Sequence, residues 1–222
     1  MMQGKLIVFE GIDGSGKSTQ YKLLCSRLER EGHSFSRLVF PRYNEPSGAL
    51  AKAYLNGEFG SEPGDVNPYA ASSFYAVDRL ASYLSEWKPD YESGAVFLAD
   101  RYTTSNAVHQ GSKLRGEERE KYFDWLYDFE YRLLKLPAPN LVIYMDIDAE
   151  TAISQMQRRQ EELAVPGDIH ERDAQYLKEC AASGAEAARK YGWVRVGCLL
   201  NGEMRGIEDI HKEIYSIVRA YI

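Results

Sequence analysis

Paired cysteines, an excess of positive charge and long apolar runs are the features that this sequence lacks. Its cysteines, Cys25, Cys180 and Cys198, form no C-x-x-C pair and cannot all pair with one another, which excludes a small disulfide-held secreted fold and favours a reducing cytoplasm. A formal net charge of −6 provides no basic field for a nucleic-acid polymer or an anionic membrane. Because no run of about 18 apolar residues is present, we expect neither a membrane span nor export.

The composition is that of a globular domain. Hydrophobic residues make up 44% and charged residues 27% of the 222 residues, unlike the low hydrophobicity and charge excess of disordered chains. A single α/β domain of this length is ordinary. We therefore expect one domain over residues 1–222.

Short apolar runs alternate with amphipathic stretches along the chain. Strands are predicted at residues 5–10, 38–40, 95–99, 141–145 and 194–200, and helices at 17–31, 68–87, 116–136, 149–163, 169–191 and 206–222. Residues 57–68 and 164–168 are irregular and are predicted to be mobile loops. The alternation predicts an α/β fold in three layers, a five-stranded parallel sheet with helices on both faces. Ligands of such sheets bind at the carboxyl ends of the strands.

Residues 11–18 match the pattern G-x-x-x-x-G-K-S between a predicted strand and a predicted helix, which is the context of a phosphate-binding loop. The backbone N–H groups and the helix N-terminus bind phosphates, Lys17 reaches the β- and γ-phosphates, and Ser18 offers a hydroxyl to magnesium. The predicted ATP site comprises Gly11, Ile12, Asp13, Gly14, Ser15, Gly16, Lys17, Ser18 and Thr19. The loop alone does not distinguish a kinase from a switch GTPase or a motor.

A kinase is favoured over a guanine-nucleotide switch. No asparagine is followed by lysine, so the N-K-x-D motif of such switches is absent, and the sole D-x-x-G lies inside the phosphate loop. A kinase for a small acceptor instead needs a second pocket, with cations for a phosphate and a flat surface for a base. Three segments and a lid provide candidates for it.

The first segment follows the predicted strand that ends at Ala99. Asp100 and Arg101 place a carboxylate and a guanidinium at the carboxyl edge of the sheet, beside the phosphate loop, where they suit magnesium and phosphate. A surface salt bridge at a strand end is the plain alternative.

The other segments supply aromatic rings and further cations. Phe40, Arg42 and Tyr43 follow the second predicted strand at the same edge. Tyr75 and Arg79 share a helix face and can offer a stacking ring and a hydrogen-bonding fork. Taken alone, such a pair is more often a packed tyrosine and a solvated arginine.

A lid is predicted over about residues 158–172. Arg158 and Arg159 end a helix just before its loop and are candidates to close on the transferring phosphoryl group. A solvated helix face is the alternative interpretation of these two arginines.

In this order the motifs resemble those of the thymidylate kinase family of P-loop nucleoside monophosphate kinases. The matches span nearly the whole chain and are E-G-I-D-G-S-G-K-S-T from residue 10, F-P-R-Y from residue 40, Y-A-V-D-R from residue 75 and D-R-Y-T-T-S-N from residue 100. The resemblance implies a homodimer that transfers a phosphoryl group from Mg-ATP to dTMP. Alternatives that stay open are a kinase for another nucleoside monophosphate and a nucleotide-binding regulatory switch.

The resemblance also implies roles for individual residues. It places Asp13 near the acceptor sugar or the metal, Arg42 and Arg101 on the acceptor phosphate, Tyr75 on thymine, Arg79 and Asn106 at the base edge, Ser105 in the same pocket, and His109 near the sugar at the 2′ position. Two departures from the family pattern are a tyrosine at the stacking position, where phenylalanine is usual, and a phosphate loop without arginine, which leaves that cation to the lid.

An acceptor phosphate is already ionised at neutral pH, so the predicted mechanism needs no general base. Lys17, Arg101, the lid arginines and magnesium, for which Ser18 and Asp100 are the candidate ligands, would stabilise the transition state electrostatically.

Overall fold

In the computed structural model of the chain, residues 3–163, 170 and 173–222 are described, residues 159–163 by their backbone alone. Five parallel strands form the main sheet in the order β2-β3-β1-β4-β5. They are β1 Lys5–Glu10, β2 Ser36–Val39, β3 Val96–Asp100, β4 Leu141–Asp146 and β5 Val194–Gly197. The α/β fold with a five-stranded parallel sheet is therefore confirmed.

The central strand is apolar on both sides because helices cover both faces of the sheet. Residues Leu6, Ile7, Val8 and Phe9 of β1 are all fully buried. A strand buried in this way has a continuous apolar sequence rather than an alternating one, which is why sequence alone located it.

The described helices include three that the sequence did not predict, α2, α4 and α5. The helices are α1 Lys17–Arg30, α2 Ala49–Leu55, α3 Pro68–Ser82, α4 Lys88–Glu92, α5 Thr103–His109, α6 Gly116–Tyr127, α7 Ala149–Leu163, α8 Ala174–Tyr191 and α9 Ile207–Val218. All three were missed because they are at most seven residues long and none has a side-chain N-cap. None of the helices in the described ranges has the length and apolarity to cross a membrane.

Two of the long predicted helices change form before they end. The helix expected over residues 68–87 is α-helical to Ser82 and continues as a π-helical turn, Tyr83–Trp87. The one expected over residues 116–136 is α-helical to Tyr127 and continues as a π-helical turn, Asp128–Leu133. Apolar spacing does not reveal such a switch, since the hydrogen-bond register changes while the helix continues.

Other boundaries also differ from the prediction. Helix α8 begins at Ala174, where the Asp173 side chain accepts from the backbone N–H of Tyr176 at 2.9 Å, instead of at residue 169. The strand expected over residues 194–200 ends at Gly197, and a small antiparallel hairpin follows, β6 Leu199–Leu200 with β7 Glu203–Met204.

The register of the sheet brings three segments to one place. Phe9 of β1 and Val39 of β2 both pair with Asp100 at the end of β3. The segments that follow these strands therefore start side by side at the carboxyl edge of the sheet.

Candidate active site

The phosphate loop, residues 11–18, joins β1 to α1 at this edge. Gly11, Gly14 and Gly16 have positive φ angles of 154°, 84° and 80°, conformations that glycine adopts without steric cost. A Cβ on Gly14 would lie 2.0 Å from the carbonyl oxygen of Ala152, so α7 packs directly against the loop. A cavity here is lined by Ile12, Asp13, Gly14, Ser15, Gly16, Lys17, Ser18, Thr19, Arg101, Gln155 and Met156.

The Lys17 ammonium is nearly buried in this cavity, and its Nζ lies 3.9 Å from Oδ1 of Asp100. Burial lowers its pKa, Arg101 lowers it further, and the carboxylates of Asp100 and Asp13 act in the opposite direction. The Lys17 ammonium therefore lies at the N-terminus of α1, the part of a helix that binds phosphate.

Ser18 and Asp100 form a pair of oxygen ligands that fits magnesium. The Ser18 hydroxyl donates to Oδ2 of Asp100 at 3.4 Å, and Oδ1 of Asp100 is buried without a hydrogen-bond partner in the described residues. Because Mg²⁺ usually keeps water and phosphate ligands and takes few from the protein, two such oxygens suffice. The described residues hold no group of three His, Cys, Asp or Glu able to bind a metal by themselves.

A second cavity lies between α3, α5 and the segment after β2. Its lining consists of Asp13, Phe40, Pro41, Tyr43, Leu55, Tyr75, Arg79, Arg101, Tyr102, Ser105, Asn106, His109, Gln110 and His170. Within the described residues this brings together every predicted acceptor residue except Arg42. We call it the acceptor cavity.

Asp13 and Arg101 are the residues that the two cavities share. Their side chains form an ion pair, and Arg101 also donates from Nη1 to Nε2 of His109 at 2.9 Å. Burial alone would raise the pKa of Asp13, but Arg101, followed by His109 and Lys17, holds it well below its usual range. Burial alone would lower the pKa of Arg101. The carboxylates of Asp13, Glu10 and Asp100 outweigh this effect and raise it. Both groups are therefore charged at any physiological pH.

His109 is neutral in this arrangement. Arginine N–H groups only donate, so Nε2 of His109 is the acceptor and its proton is on Nδ1, which lies 3.6 Å from Sγ of Cys180. Burial, reinforced by Arg101, lowers the pKa of His109 to about 3. His170 stacks on it with ring centroids 5.6 Å apart, and its own pKa is lowered chiefly by burial.

Arg42 is placed elsewhere. Its guanidinium pairs with Asp78 at 3.0 Å and with Glu86, and it donates to the Ser47 hydroxyl at 2.8 Å. It lines a separate surface depression beyond the second strand instead of the acceptor cavity.

The lid prediction concerns residues that mostly lie outside those described. Arg158 is exposed on α7 and lines neither of the two cavities, and the side chain of Arg159 is outside the described residues, as is the loop that follows it. His170 is the described residue of this region that reaches the acceptor cavity.

Sequence reasoning missed several residues of the site. Glu10 is fully buried and accepts from the hydroxyls of Thr104 and Ser105, each at 2.7 Å, so it fixes the start of α5. Gln110 is fully buried, and neither its amide oxygen nor its amide nitrogen has a partner in the described residues. The signal available for Glu10 was its position directly before the first glycine of the loop, whereas Gln110 required α5, which was not predicted.

The comparison with protein families agrees with this geometry. The family model for thymidylate kinase matches residues 9–214. The chain belongs to the thymidylate kinase family. Its fold is accordingly a P-loop NTPase fold, and the chain is an ATP-dependent nucleotide kinase.

Named thymidylate kinases are similar over most of their length. That of Mycobacterium tuberculosis (strain H37Rv) is 32% identical over 199 residues, which is 86% of this chain and 91% of that protein. That of Pelotomaculum thermopropionicum is 34% identical over 200 residues, 86% of this chain and 84% of that protein. That of Thermoanaerobacter pseudethanolicus is 27% identical over 223 aligned positions, covering both chains completely.

Proposed function

We propose that this chain transfers the γ-phosphoryl group of Mg-ATP to dTMP and releases dTDP and ADP. The observation that supports this most is the meeting of the two cavities at Asp13 and Arg101. A triphosphate in the phosphate loop and a monophosphate in the acceptor cavity would bring their phosphates to that junction. Positioning of this kind supplies most of the catalysis in phosphoryl transfer.

On the donor side, the loop N–H groups hold the triphosphate and Lys17 offsets the charge of its outer phosphates. Arg101 lies between donor and acceptor, where its cation offsets the repulsion between two anions. Magnesium, held by Ser18 and Asp100, would supply charge neutralisation of the phosphate oxygens. We expect Arg158 or Arg159 to add a cation from the lid, because the phosphate loop itself has no arginine.

On the acceptor side, Tyr75 provides the ring on which thymine stacks, and Arg79 and Asn106 face its edge. Gln110 adds a buried amide that a bound base would satisfy. His109 lies near the sugar and keeps Arg101 oriented. We retain Arg42 as a phosphate contact, for which it would have to leave Asp78 and Glu86.

We further propose a homodimer. Tyr69 and Val77 on α3, and Leu84 in the π-helical turn after it, are exposed apolar residues eight and seven positions apart, so they form one stripe. Trp125 lies beside this stripe, with its ring 4.7 Å from that of Tyr69, and Phe129 stacks on it at 5.1 Å. An exposed apolar surface of this type suits a protein interface.

The decisive experiment is a coupled ADP-release assay with Mg-ATP and dTMP, dUMP, UMP, CMP, AMP or thymidine as acceptor. We expect turnover with dTMP, weaker turnover with dUMP, and background with the other four. The Lys17→Ala variant should fold and lose turnover. Turnover with none of the acceptors would favour a regulatory switch, and turnover with another monophosphate alone would replace dTMP as the acceptor.

A further inference from the structure

Glu130 is a buried carboxylate directly behind the acceptor cavity. It lies on the π-helical turn Asp128–Leu133 and is fully buried. Its contacts connect three elements, namely this turn, α3 and α5. Burying a carboxylate without hydrogen-bond donors costs folding free energy. The donors that surround Glu130 therefore indicate its role.

Its two oxygens accept from side chains of the acceptor cavity wall. Oε2 accepts from Nε of Arg79 at 2.7 Å and from the Thr103 hydroxyl at 2.7 Å. Oε1 accepts from Nη2 of Arg79 at 2.5 Å and from Nδ2 of Asn106 at 3.4 Å. The bidentate pairing fixes the guanidinium plane of Arg79. Its Nη1, which is 3.4 Å from the Tyr102 carbonyl, keeps a further N–H for a ligand.

The same carboxylate fixes which way the Asn106 amide points. Nδ2 of Asn106 faces Oε1 of Glu130 and, at 3.3 Å, the carbonyl oxygen of Ser72. Both neighbours only accept, so the amide nitrogen must face them and the amide oxygen must face away. In the described chain that oxygen forms no hydrogen bond, and Asn106 lines the cavity. The wall therefore presents a donor from Arg79 and an acceptor from Asn106.

A donor beside an acceptor matches thymine and mismatches cytosine. Thymine offers O4 as acceptor and N3–H as donor, whereas cytosine offers a 4-amino donor and an N3 acceptor. Gln110 does not discriminate, because its amide lacks a partner in the described residues and can turn to suit either base. We infer that Glu130 is the positioning residue that sets acceptor base selectivity, by holding Arg79 as a donor and Asn106 as an acceptor. This rests on the proposed function in placing a pyrimidine monophosphate in the cavity.

Binding of dTMP and dCMP without ATP tests the inference by isothermal titration calorimetry. We expect the wild type to prefer dTMP at least about tenfold, since a site built for hydrogen bonds rejects ligands that mismatch them. Glu130→Gln puts an N–H group where donors converge, so the bidentate pairing that fixes Arg79 is lost. It also removes one of the two acceptors that orient the Asn106 amide, the other being the Ser72 carbonyl. The preference for dTMP should then fall about tenfold, with dTMP losing affinity and dCMP losing little.

The matched control is Glu186→Gln. Glu186 also pairs with a buried arginine, accepting from Nη1 of Arg119 at 2.8 Å, but neither residue lines the acceptor cavity. We expect its dTMP preference to equal that of the wild type.

Thr103→Val tests the same inference if Glu130→Gln does not fold. It removes a donor to Oε2 of Glu130 while keeping the carboxylate, and we expect the preference to fall about threefold. Three results would overturn the inference. They are a wild type that binds dTMP and dCMP equally well, a Glu130→Gln variant that loses the same affinity for both nucleotides, and a Thr103→Val variant whose preference for dTMP is unchanged. The ADP-release assay separates this inference from the proposed function. If the wild type binds dTMP selectively but does not turn it over, the proposed function alone is refuted. If it turns dTMP over but the variants keep its dTMP preference, this inference alone is refuted.

Discussion

Arg101 is the residue on which both cavities depend. Its backbone has a positive φ of 69°, which is uncommon outside glycine and is concentrated at functional sites. That conformation directs the guanidinium back over the phosphate loop, where it contacts Asp13 and His109 at the same time. A compact ammonium group could not reach both partners with the same geometry.

Arg101→Lys should therefore impair catalysis although it keeps the charge. We expect kcat/KM for dTMP to fall about 10²- to 10³-fold, the size of effect seen when one transition-state donor is removed. Steady-state kinetics with varied dTMP measures this. Arg195→Lys is the control, because Arg195 pairs with Asp146 on the exposed surface. Wild-type kinetics in Arg101→Lys would remove Arg101 from the proposed mechanism.

His109 makes the stability of the protein depend on pH. Its pKa in the folded state, about 3, lies below the ordinary value of 6.5. The unfolded chain therefore takes up a proton that the folded chain does not, so stability is complete above pH 6.5 and is lost as pH falls towards 3. One such histidine costs about 1.4 kcal/mol per pH unit in that window.

We therefore expect the wild type to lose more free energy of unfolding than His109→Gln between pH 6.5 and 5, by about 2 kcal/mol. Urea denaturation at both pH values gives these free energies. His33→Gln, at an exposed position, should behave like the wild type. An identical pH dependence in His109→Gln would contradict a buried, neutral His109.

At the scale of elements, the phosphate loop is held by α7 as well as by its own glycines. Gly14 has a positive φ, and a side chain on it would collide with the backbone of Ala152. Gly32, after α1, has a similar φ of 79°, but a Cβ there would meet no atom within 4 Å in the described residues. Substitutions at the two glycines therefore distinguish the cost of a clash with α7 from the cost of backbone strain.

Gly32→Ala should cost about 1 kcal/mol of stability from strain alone and leave turnover unchanged. Gly14→Ala should cost about 3 kcal/mol, because overpacking adds to the same strain, and it should raise the KM for ATP. Chemical denaturation and ATP kinetics measure both effects. Equal costs for the two variants would show that α7 yields to the loop.

At the scale of the whole molecule, the apolar stripe formed by Tyr69, Val77 and Leu84 is the surface through which we propose that the chain dimerises. The opposite face of α3 holds Tyr75 and Arg79, which line the acceptor cavity. A dimer formed through the stripe would restrict α3 and thereby the wall of the acceptor cavity on which we propose that the base binds.

We expect Val77→Asp combined with Leu84→Asp to convert a dimer into a monomer in light scattering and to raise the KM for dTMP. Leu200→Asp, at another exposed apolar residue, should leave the mass unchanged. A monomeric wild type would refute the proposed homodimer.

The sequence by itself determined the sheet, the phosphate loop and the family, because buried parallel strands are continuously apolar and the loop depends on contiguous residues. Tertiary structure alone decided the rest. Arg42 and Arg79 are both arginines of predicted acceptor motifs, yet Asp78 and Glu86 hold one away from the cavity and Glu130 fixes the other against its wall. Those carboxylates lie at separate positions in the sequence, and Glu130 lies on a π-helical turn, a change of helix form that apolar spacing does not reveal. Which partner a buried charge finds depends on how elements pack, and local patterns do not encode that.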